Sequence, residues 1–249
     1  MNARPKQNQA CAQFALCMNG QNRKRFKTFF DGPTCTATHG VFEPETRRAA
    51  IVDSVLDFDQ ASGRAHTGSA EAVVAFVKSE GLSIDWILET HAHADHVTSA
   101  GKLAEHTGAK TAAPAGCAIT TATIQLQHLD ELSFGVQTLK ALHTPGHTAG
   151  SMSFVWGKHV FTGDTLLING CGRTDFQSGS ASDLYKSITQ QLFTLSDDTI
   201  VWPGHDYQGR THSSIGQERR SNARLNVHTG TEGRLRSEAE FITLMDVSV

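Results

Sequence analysis

Short strand-like runs alternate with amphipathic helical segments along most of this chain of 249 residues. The apolar run at residues 49–52, which ends at Asp53, predicts a buried strand. Apolar residues at positions 70, 73, 74 and 77 then follow helical spacing, with Thr67 or Ser69 as cap and Gly81 as stop. Further strands are predicted at residues 86–88, 136–142, 152–156, 159–162 and 199–202, and further helices at residues 98–106 and from Ser182 onward. This order, repeated in two similar halves, favours a layered α/β domain with helices packed outside the sheets.

No proline-rich linker and no short repeat divides the chain, so we expect one domain over residues 29–249. Residues 1–28 carry basic side chains without an acidic one, and their apolar positions lack a sustained period. They are predicted to form a loosely ordered N-terminal extension. The charged, partly helical segment 217–249 is predicted to lie at the edge of the core as an appendage.

The charge balance and the cysteine usage exclude several classes of partner. With 22 Lys and Arg against 25 Asp and Glu, the chain has no global positive field, so nucleic acid and anionic membranes are not expected partners. No apolar run approaches the ~20 residues of a membrane helix. Five cysteines without a CxxC pair indicate a reducing compartment, hence a cytoplasmic location, or a mitochondrial one in a eukaryote because the N-terminus is rich in arginine. The sequence is compatible with a homo-oligomer.

Histidines cluster directly after the strand predicted at residues 86–88. His91, His93, Asp95 and His96 lie within six residues, and burying so many ionisable groups is costly unless a metal ion or mutual pairing compensates. Alternate residues of an extended segment point the same way, so His91 and His93 can face one ion. Asp95 and His96, at the start of the following helix, can face a second position.

Three later turns have the same layout, in which a strand is followed by a glycine and then by a histidine or aspartate. These residues are His147, Asp164 and His205. Together with the first cluster they supply enough ligands for one or two first-row metal ions. The other histidines and Cys171 lack this context and are predicted to be packing or surface residues.

The motifs THAHADH, TPGHT, FTGDTLL and PGHD, in this order over about residues 29–210, resemble the metallo-β-lactamase superfamily. The resemblance implies an αββα sandwich of the α/β (α+β) class. It also implies one metal site formed by His91, His93 and His147 and a second formed by Asp95, His96 and His205, with Asp164 able to bridge them.

The segment GCGRTDFQ at residues 170–177 is similar to the persulfide dioxygenase branch of that superfamily, as is the sequence His205-Asp206-Tyr207. The glyoxalase II type thioester hydrolases share only the GCGR turn. Membership of this branch implies one Fe(II) per chain held by His91, His147 and Asp164. The residues His93, Asp95, His96 and His205 would then orient these ligands or water.

The implied reaction is oxidation of the terminal sulfur of glutathione persulfide by O2, giving sulfite and glutathione. Arg173 is a candidate to pair with a glutathione carboxylate, because its planar fork suits that group. The alternative for Arg173 is a salt bridge to Asp175. Tyr207 is a candidate hydrogen-bond donor to the substrate, and Arg224 is a second candidate cation.

Two rival functions stay open because all seven ligand-type residues are present. One is a glyoxalase II-like hydrolase with two Zn ions, in which a metal-bound hydroxide attacks a thioester. The other is a catalytically silent metal-binding or redox-sensing module. The residue types alone do not distinguish a site for one iron ion from a site for two zinc ions.

Overall fold

The structure, a computed structural model, describes residues 26–59, 62–93, 96–117, 119–176, 178–229 and 232–247. In chain order its strands are β1 (Phe26–Asp31), β2 (Thr36–Phe42), β3 (Arg48–Val52), β4 (Val55–Asp59), β5 (Arg64–His66), β6 (Ser83–Leu88), β7 (Val97–Thr98), β8 (Lys110–Pro114), β9 (Ile124–Leu126), β10 (Glu131–Phe134), β11 (Gln137–His143), β12 (Met152–Trp156), β13 (His159–Gly163), β14 (Ile200–Pro203), β15 (Ser213–Ser214), β16 (Asn226–Thr229) and β17 (Glu232–Leu235). The helices are α1 (Gly68–Ser79), α2 (Ala100–Thr107), α3 (Ala181–Lys186), α4 (Ile215–Ser221) and α5 (Glu238–Val247). Helix α3 continues as a π-helical turn (Ser187–Gln191) and a 3-10 turn (Leu192–Thr194).

Two large mixed sheets form the centre of the fold. The first has the strand order β1-β2-β3-β6-β8-β9, antiparallel up to β3 and parallel from β3 onward. The second has the order β10-β11-β12-β13-β14-β15, in which only the pair β13–β14 is parallel. Two smaller sheets, β5-β4-β7 and β16-β17, lie beside them.

The core is divided into layers because successive side chains of a strand point to opposite faces. On β3, Ala50 and Val52 face the other sheet and belong to a cluster with Phe154 and Trp202. The alternate residues of β3 pack instead against α1 and α2. Helix α3 and its π-helical turn, with α5, cover the outer face of the second sheet. The result is the αββα sandwich predicted from the sequence.

Most predicted elements are confirmed, with shifted ends. Strand β12 matches its prediction residue for residue, and α1 spans the predicted positions. The cap of α3 is Ser180 rather than Ser182, because the Ser180 hydroxyl accepts the Asp183 amide at 3.2 Å. None of the helices within the described residues combines the length and apolar character needed to cross a bilayer.

Two predicted boundaries differ from the structure. The extension predicted at residues 1–28 ends inside β1, whose residues pair with β2 from Phe26 onward; residues 1–25 lie outside the described part of the chain. The C-terminal segment is part of the core rather than an appendage. Leu225 and Phe241 are fully buried and pack with Leu184 and Ile188 of the α3 region.

His39 on β2 links the first sheet to the last residue of β14. Its Nε2–H donates to the carbonyl oxygen of Pro203 at 3.0 Å, and its Nδ1 lies 3.2 Å from the hydroxyl of Thr28. Burial lowers the pKa of His39 from 6.5 to about 4, against the raising effect of the Pro203 carbonyl and the Asp53 charge. His39 is therefore a neutral packing residue, as predicted for the histidines outside the motifs.

This burial predicts a loss of stability in mild acid. Unfolded His39 binds a proton near pH 6.5 and folded His39 only near pH 4, so its contribution is complete above pH 6.5 and is lost as the pH falls toward 4. As the pH falls from about 7.5 to about 4.5, the unfolding free energy of the wild type should decrease by about 2–3 kcal/mol more than that of His39→Gln. Urea titrations of both proteins at each pH measure this difference. Parallel pH profiles would contradict the assignment.

Candidate metal centre

His91, His147 and Asp164 come together at one edge of the sandwich. They lie on the segments that follow β6, β11 and β13. Each offers one ligand atom, and these three atoms lie within 4.8 Å of one another. His147 Nε2 is 3.7 Å from Asp164 Oδ2. Two imidazoles and one carboxylate on a common face form a donor set suited to a divalent first-row metal ion.

Both histidines of this group are held in the tautomer that a metal ligand needs. The Thr90 hydroxyl donates to Asp53 Oδ2 at 2.9 Å, so it must accept from Nδ1–H of His91, also at 2.9 Å. Nδ1–H of His147 donates to the carbonyl oxygen of Arg173 at 2.9 Å. Each bond fixes the proton on Nδ1 and leaves the Nε2 lone pair for a metal ion. The residues present therefore fit a bound metal.

Asp164 is oriented by His205. Its Oδ1 accepts from Nδ1 of His205 at 2.7 Å, and Nε2 of His205 lies 3.0 Å from the hydroxyl of Thr36. Burial alone would raise the pKa of Asp164, but the hydrogen bond from His205 and the electrostatic effect of the neighbouring histidines hold it well below its usual range. Asp164 is thus ionised at neutral pH, and both ring nitrogens of His205 already contact side chains.

His93 contacts two buried carboxylates through Nε2, whereas its Nδ1 is buried without a hydrogen-bond partner among the described residues. Its Nε2 lies 3.3 Å from Asp53 Oδ1 and 3.4 Å from Glu89 Oε2. Burial would lower the pKa of His93, but these two carboxylates raise it well above its usual value. Conversely, burial would raise the pKa of Asp53, but the hydrogen bond from His93 lowers it to about 2. The His93 side chain is therefore part of a buried ion cluster beside the centre.

The remaining predicted ligands have different positions. His96 is buried, with Nδ1 3.4 Å from the Thr36 hydroxyl and its ring centroid 4.1 Å from that of His93. Asp95 lies outside the described residues. The structure thus brings together the three ligands predicted for a single ion and places His93, His96 and His205 around them.

Two glycines allow the ligand segments to approach closely. Gly163, at φ +50°, precedes Asp164, and a Cβ there would lie 2.3 Å from the Thr90 hydroxyl. A Cβ on Gly172 would lie 2.4 Å from the Asp164 carbonyl oxygen and 2.8 Å from His147 Nδ1. Only a residue without a side chain fits at these positions.

The three predicted substrate contacts have distinct environments. The Arg173 guanidinium forms the salt bridge to Asp175 that the sequence offered as the alternative to a substrate contact. It donates two hydrogen bonds, at 2.7 and 2.5 Å, and is mostly exposed. The Tyr207 ring is exposed and lies parallel to the His205 ring at 6.1 Å. Arg224 is half-buried, and its charge acts on Cys171.

Cys171 is a packed residue, as predicted. Burial raises the pKa of its thiol to about 12, although the charge of Arg224 acts in the opposite direction. The thiol is therefore protonated at neutral pH and is a poor nucleophile.

The sequence analysis missed the residues that orient the ligands. The sequence analysis identifies Asp53 only as the end of a strand and Thr90 only as part of the THAHADH motif, and it does not identify Glu89. Thr36 has no local signal, because its contact with His205 joins positions 169 residues apart. For Asp53 the available signal was an aspartate that ends an otherwise apolar strand.

Comparison with known proteins agrees with this geometry. The family model of the metallo-beta-lactamase superfamily matches residues 32–116 and 121–205. The mitochondrial persulfide dioxygenase ETHE1 of Bos taurus is 35% identical over 222 residues, which cover 88% of this chain and 80% of that protein. The crystal structure of ETHE1 from Myxococcus xanthus is 40% identical, covers 89% of each chain and superposes with a TM-score of 0.78.

A further relative has a longer chain. The beta-lactamase hydrolase-like protein of Agrobacterium fabrum is 40% identical over 226 residues, or 80% of this chain. The present chain spans about half of its length, since the match covers 52% of that protein. The fold and the group of His91, His147 and Asp164 support a metal cofactor. The chain belongs to the metallo-β-lactamase superfamily and, within it, to the persulfide dioxygenase branch.

Proposed function

We propose that this protein is a glutathione persulfide dioxygenase that works with one Fe(II) per chain. The observation that carries the proposal is the separation of the ligand-type residues into two sets. His91, His147 and Asp164 converge and keep two Nε2 lone pairs and one carboxylate oxygen for a metal ion, whereas Nε2 of His93 and both ring nitrogens of His205 contact other side chains. Two histidines and one carboxylate are the donor set of non-haem iron oxygenases, because that set leaves coordination positions open.

A ferrous ion at this position would supply open sites for a persulfide sulfur and O2, together with the redox chemistry between them. The protein's own residues provide the framework. Asp53 and Thr90 hold His91, the Arg173 carbonyl holds His147, and His205 holds Asp164. Such supporting partners tune a metal ligand's basicity and direction.

The net reaction is balanced by O2 and water alone. Both oxygen atoms of O2 pass to the terminal sulfur, the sulfur–sulfur bond breaks, and water supplies the third oxygen of sulfite while glutathione leaves as its thiol. The sulfane sulfur is oxidised and O2 is reduced. The buried Cys171 thiol takes no part, since its raised pKa keeps it protonated.

Elemental analysis of protein purified without added metal, combined with oxygen uptake on glutathione persulfide, tests this proposal. We expect one iron per chain and one O2 consumed per sulfite formed. Two zincs per chain, no oxygen uptake and hydrolysis of lactoylglutathione would overturn it in favour of a dinuclear thioester hydrolase. Bound metal without turnover of either substrate would favour the silent module.

Arg173 is proposed to exchange its exposed partner Asp175 for a glutathione carboxylate. An exposed ion pair is screened by water, so the guanidinium can change partners at little cost. Arg173→Ala keeps the backbone carbonyl that holds His147 and should raise KM about tenfold or more, with a smaller change in kcat. Steady-state kinetics measure this split. The matched control is Asp175→Asn, which releases the guanidinium and should not raise KM; an unchanged KM in Arg173→Ala would exclude the contact.

A further inference from the structure

A glutamate of α4 is buried against a turn outside that helix. Glu218 is 1% exposed, and its Oε2 accepts the backbone amide of Asn169 at 2.9 Å and the side-chain amide of Asn222 at 2.7 Å. The same Asn222 side chain donates to the carbonyl oxygen of Gly170 at 3.0 Å. In return, Oδ1 of Asn169 accepts the amide of Ala223 at 2.8 Å. Three of these four bonds join Asn169 and Gly170 to the C-terminal end of α4.

The conformation of the turn explains why it needs this support. Asn169 has a φ of +58°, in the left-handed region that residues with a side chain rarely adopt. Such a backbone persists where the surrounding contacts fix it. Burying a carboxylate is costly unless hydrogen bonds compensate, and the proposed reaction makes no use of Glu218. The bonds of this carboxylate go to the turn and to the residue that ends α4.

The turn leads directly to the partner of a metal ligand. Three residues after Gly170, the carbonyl oxygen of Arg173 accepts Nδ1–H of His147 at 2.9 Å. Between them, the Gly172 amide donates to the carbonyl oxygen of Asp164 at 2.8 Å. A segment of three residues that is bonded at both ends has little freedom to adjust. The position of the Arg173 carbonyl therefore depends on the position of Gly170.

We propose that Glu218 is a positioning residue for the metal centre. By fixing Asn169 and Gly170, it places the Arg173 carbonyl that orients the imidazole of His147. The inference goes beyond the proposed function, because it concerns how a metal ligand is held and not which reaction the metal serves. It also gives a role to the C-terminal segment, which the sequence placed outside the core.

The test is the Zn²⁺ affinity of metal-free protein, measured by competition with a chromophoric chelator. Glu218→Leu removes both acceptor oxygens, so it should bind Zn²⁺ at least about tenfold more weakly than the wild type. Glu218→Gln keeps an oxygen for Asn169 and Asn222, and the amide nitrogen that it adds can donate to the nearby Ser213 hydroxyl. Its affinity should stay within about threefold of the wild type. Wild-type affinity in folded Glu218→Leu would overturn the inference.

The matched control is the next residue of the same helix. Arg219 also fixes α4, but its guanidinium donates to Asp197 and to the carbonyl oxygens of Phe193 and Leu195. Arg219→Met removes these bonds and should leave the Zn²⁺ affinity unchanged. Equal loss of affinity in Arg219→Met and Glu218→Leu would show that any loosening of α4 weakens the centre, and the specific role of Glu218 would be wrong.

The Nδ1–H proton of His147 reports the positioning directly, in NMR spectra of ¹⁵N-labelled protein saturated with Zn²⁺. In Glu218→Leu this proton should exchange with water at least about tenfold faster than in the wild type. Nδ1–H of His91, which the Thr90 hydroxyl accepts, is the internal control and should exchange at its wild-type rate. An unchanged exchange rate at His147 would contradict the role of Glu218.

Asn169→Gly decides the question if Glu218→Leu does not fold. Glycine adopts a positive φ without strain, so this variant removes only the bond to the Ala223 amide. We expect its Zn²⁺ affinity to fall by about threefold, and wild-type affinity would overturn the inference. Protein that shows these affinities but consumes no O2 would overturn the proposed function and leave the role of Glu218 intact.

Discussion

Asp164→Ala is expected to abolish metal binding. The change removes the only carboxylate of the group formed with His91 and His147, and it leaves Nδ1 of His205 without the acceptor it has at 2.7 Å. Loss of a residue that merely supports a ligand typically costs 10- to 100-fold in metal affinity, so loss of the ligand itself should exceed about 100-fold. Elemental analysis and competition with a chelator of known affinity measure the effect.

Two comparison variants sharpen this prediction. His205→Ala removes the partner of Asp164 but leaves the carboxylate, so the metal should bind about 10- to 100-fold more weakly rather than be lost. Asp95→Ala is predicted to leave iron bound, because Asp95 belongs to the second predicted set of ligands. Equal metal loss in Asp164→Ala and Asp95→Ala would favour a dinuclear centre and contradict the assignment.

The sequence predicted the group of His91, His147 and Asp164 that the structure brings together, because the signal of these residues is local. His147 and Asp164 each follow a strand and a glycine, and the rigid sheet then places such turns at one edge. The layers were predictable for a similar reason. Apolar runs such as residues 49–52 identify buried strands, and the 3.6-residue spacing in α1 identifies a helix that packs on a sheet.

The orientation of His93 was not predictable from the sequence. The alternation rule places His91 and His93 on the same side of an extended segment, but the side-chain torsion is decided by partners elsewhere. Asp53 directly follows β3, forty positions away, and contacts Nε2 of His93 at 3.3 Å. Glu89 precedes the motif directly, yet nothing in its spacing indicates that it faces His93.

The partner of Arg173 and the packing of the C-terminal segment also depend on tertiary contacts. The fork of Arg173 suits a substrate carboxylate and the carboxylate of Asp175 equally well, so residue type alone left both open. The segment from residue 217 onward is charged on its surface, and its isolated apolar residues gave no periodic signal. Phe241 is buried where α5 packs against α3.

Gly172→Ala is expected to break the metal centre while leaving the rest of the sandwich folded. The added Cβ would lie 2.4 Å from the Asp164 carbonyl oxygen and 2.8 Å from Nδ1 of His147. Neither atom is the end of a flexible chain: one is backbone, and the other is held by the Arg173 carbonyl. The Gly172 amide also donates to that Asp164 oxygen at 2.8 Å, so the clash must separate two hydrogen-bonded segments.

The matched control lies two residues earlier in the same turn. A Cβ on Gly170 would meet nothing closer than 4.0 Å, so Gly170→Ala adds the same atoms without a clash. We expect Gly172→Ala to lose about 1–3 kcal/mol of unfolding free energy and at least about tenfold in metal affinity, since overpacking moves two ligands apart. Chelator competition and urea unfolding on both variants measure this. Equal metal affinity in Gly172→Ala and Gly170→Ala would contradict this prediction. It would mean that the two ligand segments can separate without loss of metal, so that the close approach at Gly172 does not align His147 with Asp164.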